Sequence, residues 1–160
     1  MVTEQAVEQM PFSMKTPLLS AWNSFKHLAD TNDLWMHVKV YAEGGENALH
    51  AHTTEDHAFV VLEGQATFYA GDGSTTVVGK NEGMMIPKGA LYNFQSSGEG
   101  NLVMLRVGTG TEGNPYKKIG KDDRIGPDGN ALPGHDPANK TGAIPGVPVP
   151  GKFFAADAPD

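Results

Sequence analysis

Between Leu34 and Val107, short β-branched and aromatic runs are cut at close intervals by Gly, Asp, Asn and Ser. No run is long enough to make an ordinary helix, so the punctuation itself points to an all-β fold. The runs predict strands at Leu34–Tyr41, Ala48–His52, His57–Leu62, Gln65–Ala70, Thr75–Val78, Gly83–Ile86, Leu91–Gln95 and Leu102–Val107. The turns Glu63-Gly64, Gly71-Asp72-Gly73 and Ser97-Gly98-Glu99-Gly100 supply the positive-φ positions that tight hairpins require. Many short strands at even spacing make a sandwich or a barrel.

The flanks are different. Leu18 to Ala29, after Pro17, fits either a short helix or an edge strand. From Asn114 onward a Pro or Gly recurs every few residues, which excludes regular helix or sheet over that stretch. Two readings of it stand: a poorly ordered terminus, or an extended wrap that lays Tyr116, Ile119, Ile125, Val147, Val149, Phe153 and Phe154 in grooves of its own barrel or of a neighbouring subunit. With 160 residues the chain is about one domain long. Its expected parts are an N-terminal arm (1–33), a barrel (34–112) and a Pro/Gly-rich C-terminal extension (113–160).

Twelve Lys and Arg stand against nineteen Asp and Glu, so a polyphosphate backbone would be repelled and nucleic acid is not expected as a partner. No run reaches the roughly 20 apolar residues of a membrane span, and Met1 to Met10 carries neither a basic leader nor an apolar segment. A cytoplasmic protein with no membrane partner is expected. The chain has no cysteine, which excludes disulfides, thiolate nucleophiles, thiolate-bound zinc and iron–sulfur clusters. A metal must be held here by nitrogen and oxygen.

The segment Gly44 to His57 holds three of the six histidines within eight residues. On a strand, His50 and His52 point to the same face about 7 Å apart, within reach of one ion. A turn through Thr53 to Asp56 brings His57 back at the start of the next strand, where a third nitrogen can face the same point.

Gly44, five residues, His50, one, His52, four, His57, six, Gly64 resembles the first motif of the cupin superfamily, with His57 standing where that motif has glutamate. Asp56 competes for the position, but the distance to Gly64 and the alternation of faces favour His57. The second motif maps onto Asn81, Pro87, Gly89, Tyr92 and Ser96. Pro87 and Gly89 fit it. Asn81 replaces a glycine, Ser96 an asparagine, and Tyr92 stands where the fourth ligand, a histidine, usually sits. The resemblance covers residues 34 to 107 and implies a cupin double-stranded β-helix, a jelly-roll-like barrel.

The resemblance implies a divalent metal ion held by His50, His52 and His57, with iron expected first and zinc, nickel or manganese as alternatives. Three neutral imidazoles leave the ion's charge for a substrate to neutralise, which favours an anionic or enolate-forming substrate. Tyr92 is the expected catalytic residue, as acid, base or weak ligand; the alternative is that it packs the barrel. Arg106 lies mid-strand among apolar residues and must pair with a carboxylate or a bound anion. Glu55 and Asp56 are expected to accept hydrogen bonds from the histidines. His27, His37 and His135 are read as unrelated to the site. Phe59, Phe68, Met84 and Phe94 are candidate apolar lining, suited to an aromatic or short acyl substrate.

The function expected is therefore a metal-dependent cupin enzyme acting on a small organic acid or aromatic compound by dioxygenase-type or enolate-type chemistry. A sugar isomerase or epimerase and a non-catalytic metal- or small-ligand-binding cupin are the alternatives. A homodimer is expected, because an open sheet edge in a small barrel invites pairing.

Overall fold

The computed structural model describes residues 7–110, 123–132 and 146–160. Within these the secondary structure is strand throughout: β1 (Thr16–Ala21), β2 (Asn23–Asp30), β3 (Leu34–Tyr41), β4 (Gly45–His52), β5 (His57–Glu63), β6 (Gln65–Ala70), β7 (Thr75–Gly79), β8 (Gly83–Ile86), β9 (Tyr92–Ser96), β10 (Leu102–Thr109), β11 (Arg124–Ile125) and β12 (Val147–Phe154). Two five-stranded antiparallel sheets, β2-β3-β10-β5-β8 and β11-β4-β9-β6-β7, face each other, and β1 pairs with β12 in a two-stranded arm. This is the all-β barrel that the turn punctuation predicts.

The strands read from the sequence recur with small changes at their ends. Leu18 to Ala29 is strand, broken at Trp22, whose φ of +65° turns the chain from the arm into the barrel sheet. The C-terminal extension corrects the expectation of no regular sheet: Val147–Phe154 is β12, an edge strand paired with β1 that can carry Pro148 and Pro150 because one of its sides needs no ladder donor, and Arg124–Ile125 is β11. Of the apolar residues expected in grooves, Ile125, Val149 and Phe154 are half-buried, whereas Val147 and Phe153 are exposed. Tyr116, Ile119 and His135 lie outside the described residues.

Period-two alternation decides what faces inward. On β10, Leu102, Met104 and Arg106 are buried, while Leu105 and Val107 are half-buried on the other face. On β5, His57, Phe59 and Val61 alternate inward in the same way. The barrel's apolar half is filled by Tyr41, Phe59, Phe68, Phe94, Leu102 and Met104 among others, with Met84 packed against them. The Phe59, Phe68 and Phe94 rings stand 5.3 to 5.5 Å apart, in contact with one another. Burial of each such ring contributes about 1.5–3 kcal/mol. They form a packed plug beneath the histidines.

A second apolar cluster, Leu19, Val38, Val40 and Val103, lies on the outer side of β3 and β10, where Leu18 and Phe154 of the arm help to cover it. Gly108 shows why one position on β10 carries no side chain. It is paired with Trp35 on one side and His57 on the other, and a Cβ there would run into the Trp35 ring.

Candidate metal centre

β4 and β9 sit side by side with His50 opposite Tyr92, while β5 brings His57 in from the facing sheet. The His52 and His57 ring centroids are 4.0 Å apart, His50 and His52 are 5.2 Å apart, and His50 lies 4.6 Å from Tyr92. All three histidines are buried. The four residues expected to form the site thus meet at one place. Among the described residues, His52, Glu55 and His57 bring donor atoms within 4.8 Å of one another, a group able to hold a metal ion.

Hydrogen bonds fix where each ring keeps its proton. His50 Nδ1 donates to the Ala48 carbonyl at 2.7 Å, and His52 Nδ1 donates to Asp123 Oδ1 at 2.7 Å. A carbonyl and a carboxylate can only accept, so both rings carry the proton on Nδ1 and present a bare lone pair at Nε2. Both Nε2 atoms are buried without a hydrogen-bond partner. His50 Nε2 lies 3.5 Å from Glu46 Oε2, close enough for an ion pair only were the ring charged. Burial pushes both pKa values down and keeps the rings neutral. Two neutral imidazole lone pairs, buried side by side without a donor, fit a divalent cation.

His57 is held in the opposite way. Arg106 Nη2 donates to its Nδ1 at 3.0 Å, which leaves the proton on Nε2, and Nε2 donates to Glu55 Oε2 at 2.8 Å. Burial and the neighbouring guanidinium drive its pKa far down, so the ring is neutral here too. Glu55 therefore does what the sequence suggests, accepting from a histidine. Asp56 does not: its Oδ1 accepts from the Lys88 backbone N–H at 2.8 Å, across the turn.

Arg106 finds the carboxylate that its burial demands in Glu46, at 3.2 Å, and also donates to the Tyr92 hydroxyl at 3.2 Å. Its guanidinium lies over the Trp35 and Phe59 rings. Lys39 Nζ is 3.5 Å from the same Glu46, and burial together with Arg106 lowers its pKa to about 8. Burial and the Glu46 charge push the Tyr92 phenol well up, so it stays protonated. His37 is one ring removed from the group, 4.7 Å from Trp35, and His27 pairs with Asp30 at 2.7 Å.

Sequence reasoning passed over Lys39, Glu46 and Asp123. Lys39 was readable, since it alternates with Trp35, His37 and Tyr41 on one face of β3. Glu46 stood inside the histidine segment but off its spacing. Asp123 carried no local signal, because its partners lie some seventy positions away.

The family described as the cupin domain matches residues 37–108. An uncharacterized protein of Bacillus subtilis (strain 168), YdbB, is 32% identical over 69 residues, 43% of this chain and 59% of that protein. The chain therefore spans less than two thirds of that relative. Among solved structures, KdgF from Halomonas sp. superposes with a TM-score of 0.50 at 16% identity, over 54% of this chain and 77% of that one. The Schizosaccharomyces pombe Cnp3 cupin domain gives 0.52 at 16%, over 59% and 64%. A Klebsiella pneumoniae protein with a double-stranded β-helix domain gives 0.50 at 22%, over 55% and 76%. These likenesses establish the fold.

Proposed function

We propose that this chain, whose residues 37–108 match the cupin domain, is a metal-dependent enzyme acting on a small organic acid or aromatic compound, with dioxygenase-type or enolate-type chemistry. In this reading His50, His52 and His57 hold the ion, and iron is its first candidate. The observation that carries it is the pair of buried Nε2 lone pairs on His50 and His52, each fixed by an acceptor on the far side of its ring. His57 is the conditional donor, since its Nε2 must give up the proton it shares with Glu55 and Arg106 must turn from its Nδ1. A bound divalent ion supplies a Lewis-acid centre that polarises a substrate oxygen.

The remaining steps belong to the chain. Arg106 and Lys39 attract an anionic group to the polar half of the barrel, and Trp35 and Phe59 hold Arg106 flat. Tyr92, protonated and 4.6 Å from the His50 ring, donates a hydrogen bond to charge developing on substrate oxygen. The aromatic plug excludes water from below.

A second reading, sugar isomerase or epimerase, gains support from Lys39, Glu46 and Arg106 in the interior, a more polar wall than the phenylalanines suggest. A homodimer belongs to either reading. Its support is an outer groove of about 460 Å³ lined in part by Leu34, Ala58, Met85, Pro87 and Val107.

Elemental analysis of purified, tag-free protein beside His50→Ala and His52→Ala tests the proposal. Near-stoichiometric iron in the wild type, lost in both variants, is expected, followed by oxygen uptake with aromatic or short-chain acids. Aldose–ketose exchange without oxygen uptake would select the isomerase. No metal after reconstitution would overturn both.

A further inference from the structure

Asp123 lies outside the matched barrel, yet it is buried against the ligand strand and held from five directions. Its carbonyl accepts from Thr53 N at 3.2 Å and Thr53 Oγ1 at 3.1 Å. Its Oδ2 accepts from Thr54 N at 3.0 Å and Thr54 Oγ1 at 2.9 Å, which leaves Oδ1 aimed at His52 Nδ1 at 2.7 Å. The next two residues, Arg124 and Ile125, pair with His52 and Ala51, so the whole segment is registered to β4.

We propose that Asp123 is the positioning residue of the metal centre: it holds His52 in the Nδ1–H tautomer and so makes Nε2 a ligand. The C-terminal extension thereby completes a site whose other members all lie within residues 37–108. The Ala48 carbonyl performs the same task for His50 by local geometry alone. His52 requires a partner brought from 71 positions away. The proposal rests on the metal reading above, and its test separates the two.

The decisive variant is Asp123→Asn. Because the two Thr54 donors face the Oδ2 position, the amide turns its oxygen toward them and its NH₂ toward His52. Nδ1 must then accept, and the ring proton moves to Nε2. Long-range ¹H–¹⁵N spectra of ion-free, ¹⁵N-histidine-labelled protein read the tautomer directly. We expect His52 as Nδ1–H in the wild type and Nε2–H in Asp123→Asn, with Zn²⁺ affinity by calorimetry lowered about 10–100-fold. A residue that only braced the fold would change the melting temperature and leave the tautomer as it was.

An Nε2–H His52 in the wild type overturns the proposal without any variant, which covers the case in which Asp123→Asn fails to fold. An unchanged tautomer in Asp123→Asn, or a changed tautomer with unchanged Zn²⁺ affinity, also overturns it. A wild type that takes up no ion sinks the metal reading, and the ion-free spectra still decide whether Asp123 sets the tautomer of His52.

Discussion

On β4, His50 and His52 each commit Nδ1 to a protein acceptor and leave Nε2 bare, whereas on β5, His57 commits both nitrogens, one to Arg106 and one to Glu55. The two walls carry the same residue type at similar burial, yet one leaves bare lone pairs and the other closes a polar network of the protein's own. Partner chemistry makes the difference. Acceptors behind the β4 rings push lone pairs into the interior, and a guanidinium behind the β5 ring pushes a proton there.

The contrast makes graded expectations for the ion-free protein, each read by denaturant unfolding. Arg106→Leu should cost most, about 3–5 kcal/mol, because Glu46 loses a buried charge partner and His57 loses the donor that sets its proton. A variant as stable as the wild type would show that the β5 wall is not held by that guanidinium. His57→Ala comes next at about 2–3 kcal/mol, since Glu55 and Arg106, both buried, each lose a partner. It should also weaken ion binding.

His50→Ala should separate the walls most plainly. Its unfolding free energy falls by only about 1 kcal/mol, as one carbonyl loses one donor, while metal content falls by an order of magnitude or more. Stability and metal content falling together, as for His57, would erase the comparison. Tyr92→Phe should cost least, about 1 kcal/mol or less, for the hydroxyl that accepts from Arg106. It should keep its metal but lose on the order of a hundredfold in turnover, and full turnover would remove the phenol from the chemistry.

Much of this was legible in the chain. Turn residues at Gly64, Gly73 and Gly100, each at positive φ, cut the strands where they end. Alternation, which is local, put His50 and His52 on one face, and the turn through Thr53 to Asp56 accounts for His57 on the next strand. Proton placement was not legible, since besides the local Ala48 and Glu55 it depends on Asp123 and Arg106, two partners reached only through folding. The phenylalanines were readable as interior but not as a plug. Alternation tells which way a ring points; what it meets is decided by the facing sheet. Leu18 to Ala29 stayed open between helix and strand because its apolar positions face the outer cluster and the arm as well as the barrel, which blurs period two.

The arm pairs Thr16–Ala21 with Val147–Phe154, and Ser20 Oγ donates to the Val147 carbonyl across 127 positions. Closing a loop of that length brings an entropic penalty that no neighbouring contact offsets until both barrel sheets stand. The arm should therefore zip up after the rate-limiting step, with transition-state values near zero at Leu19 and Phe153. Substitutions there would hasten unfolding and leave the refolding rate almost untouched. The histidine cluster would then be assembled before β1 and β12 pair, and the arm would act as the latch that sets how long the assembled cluster lasts.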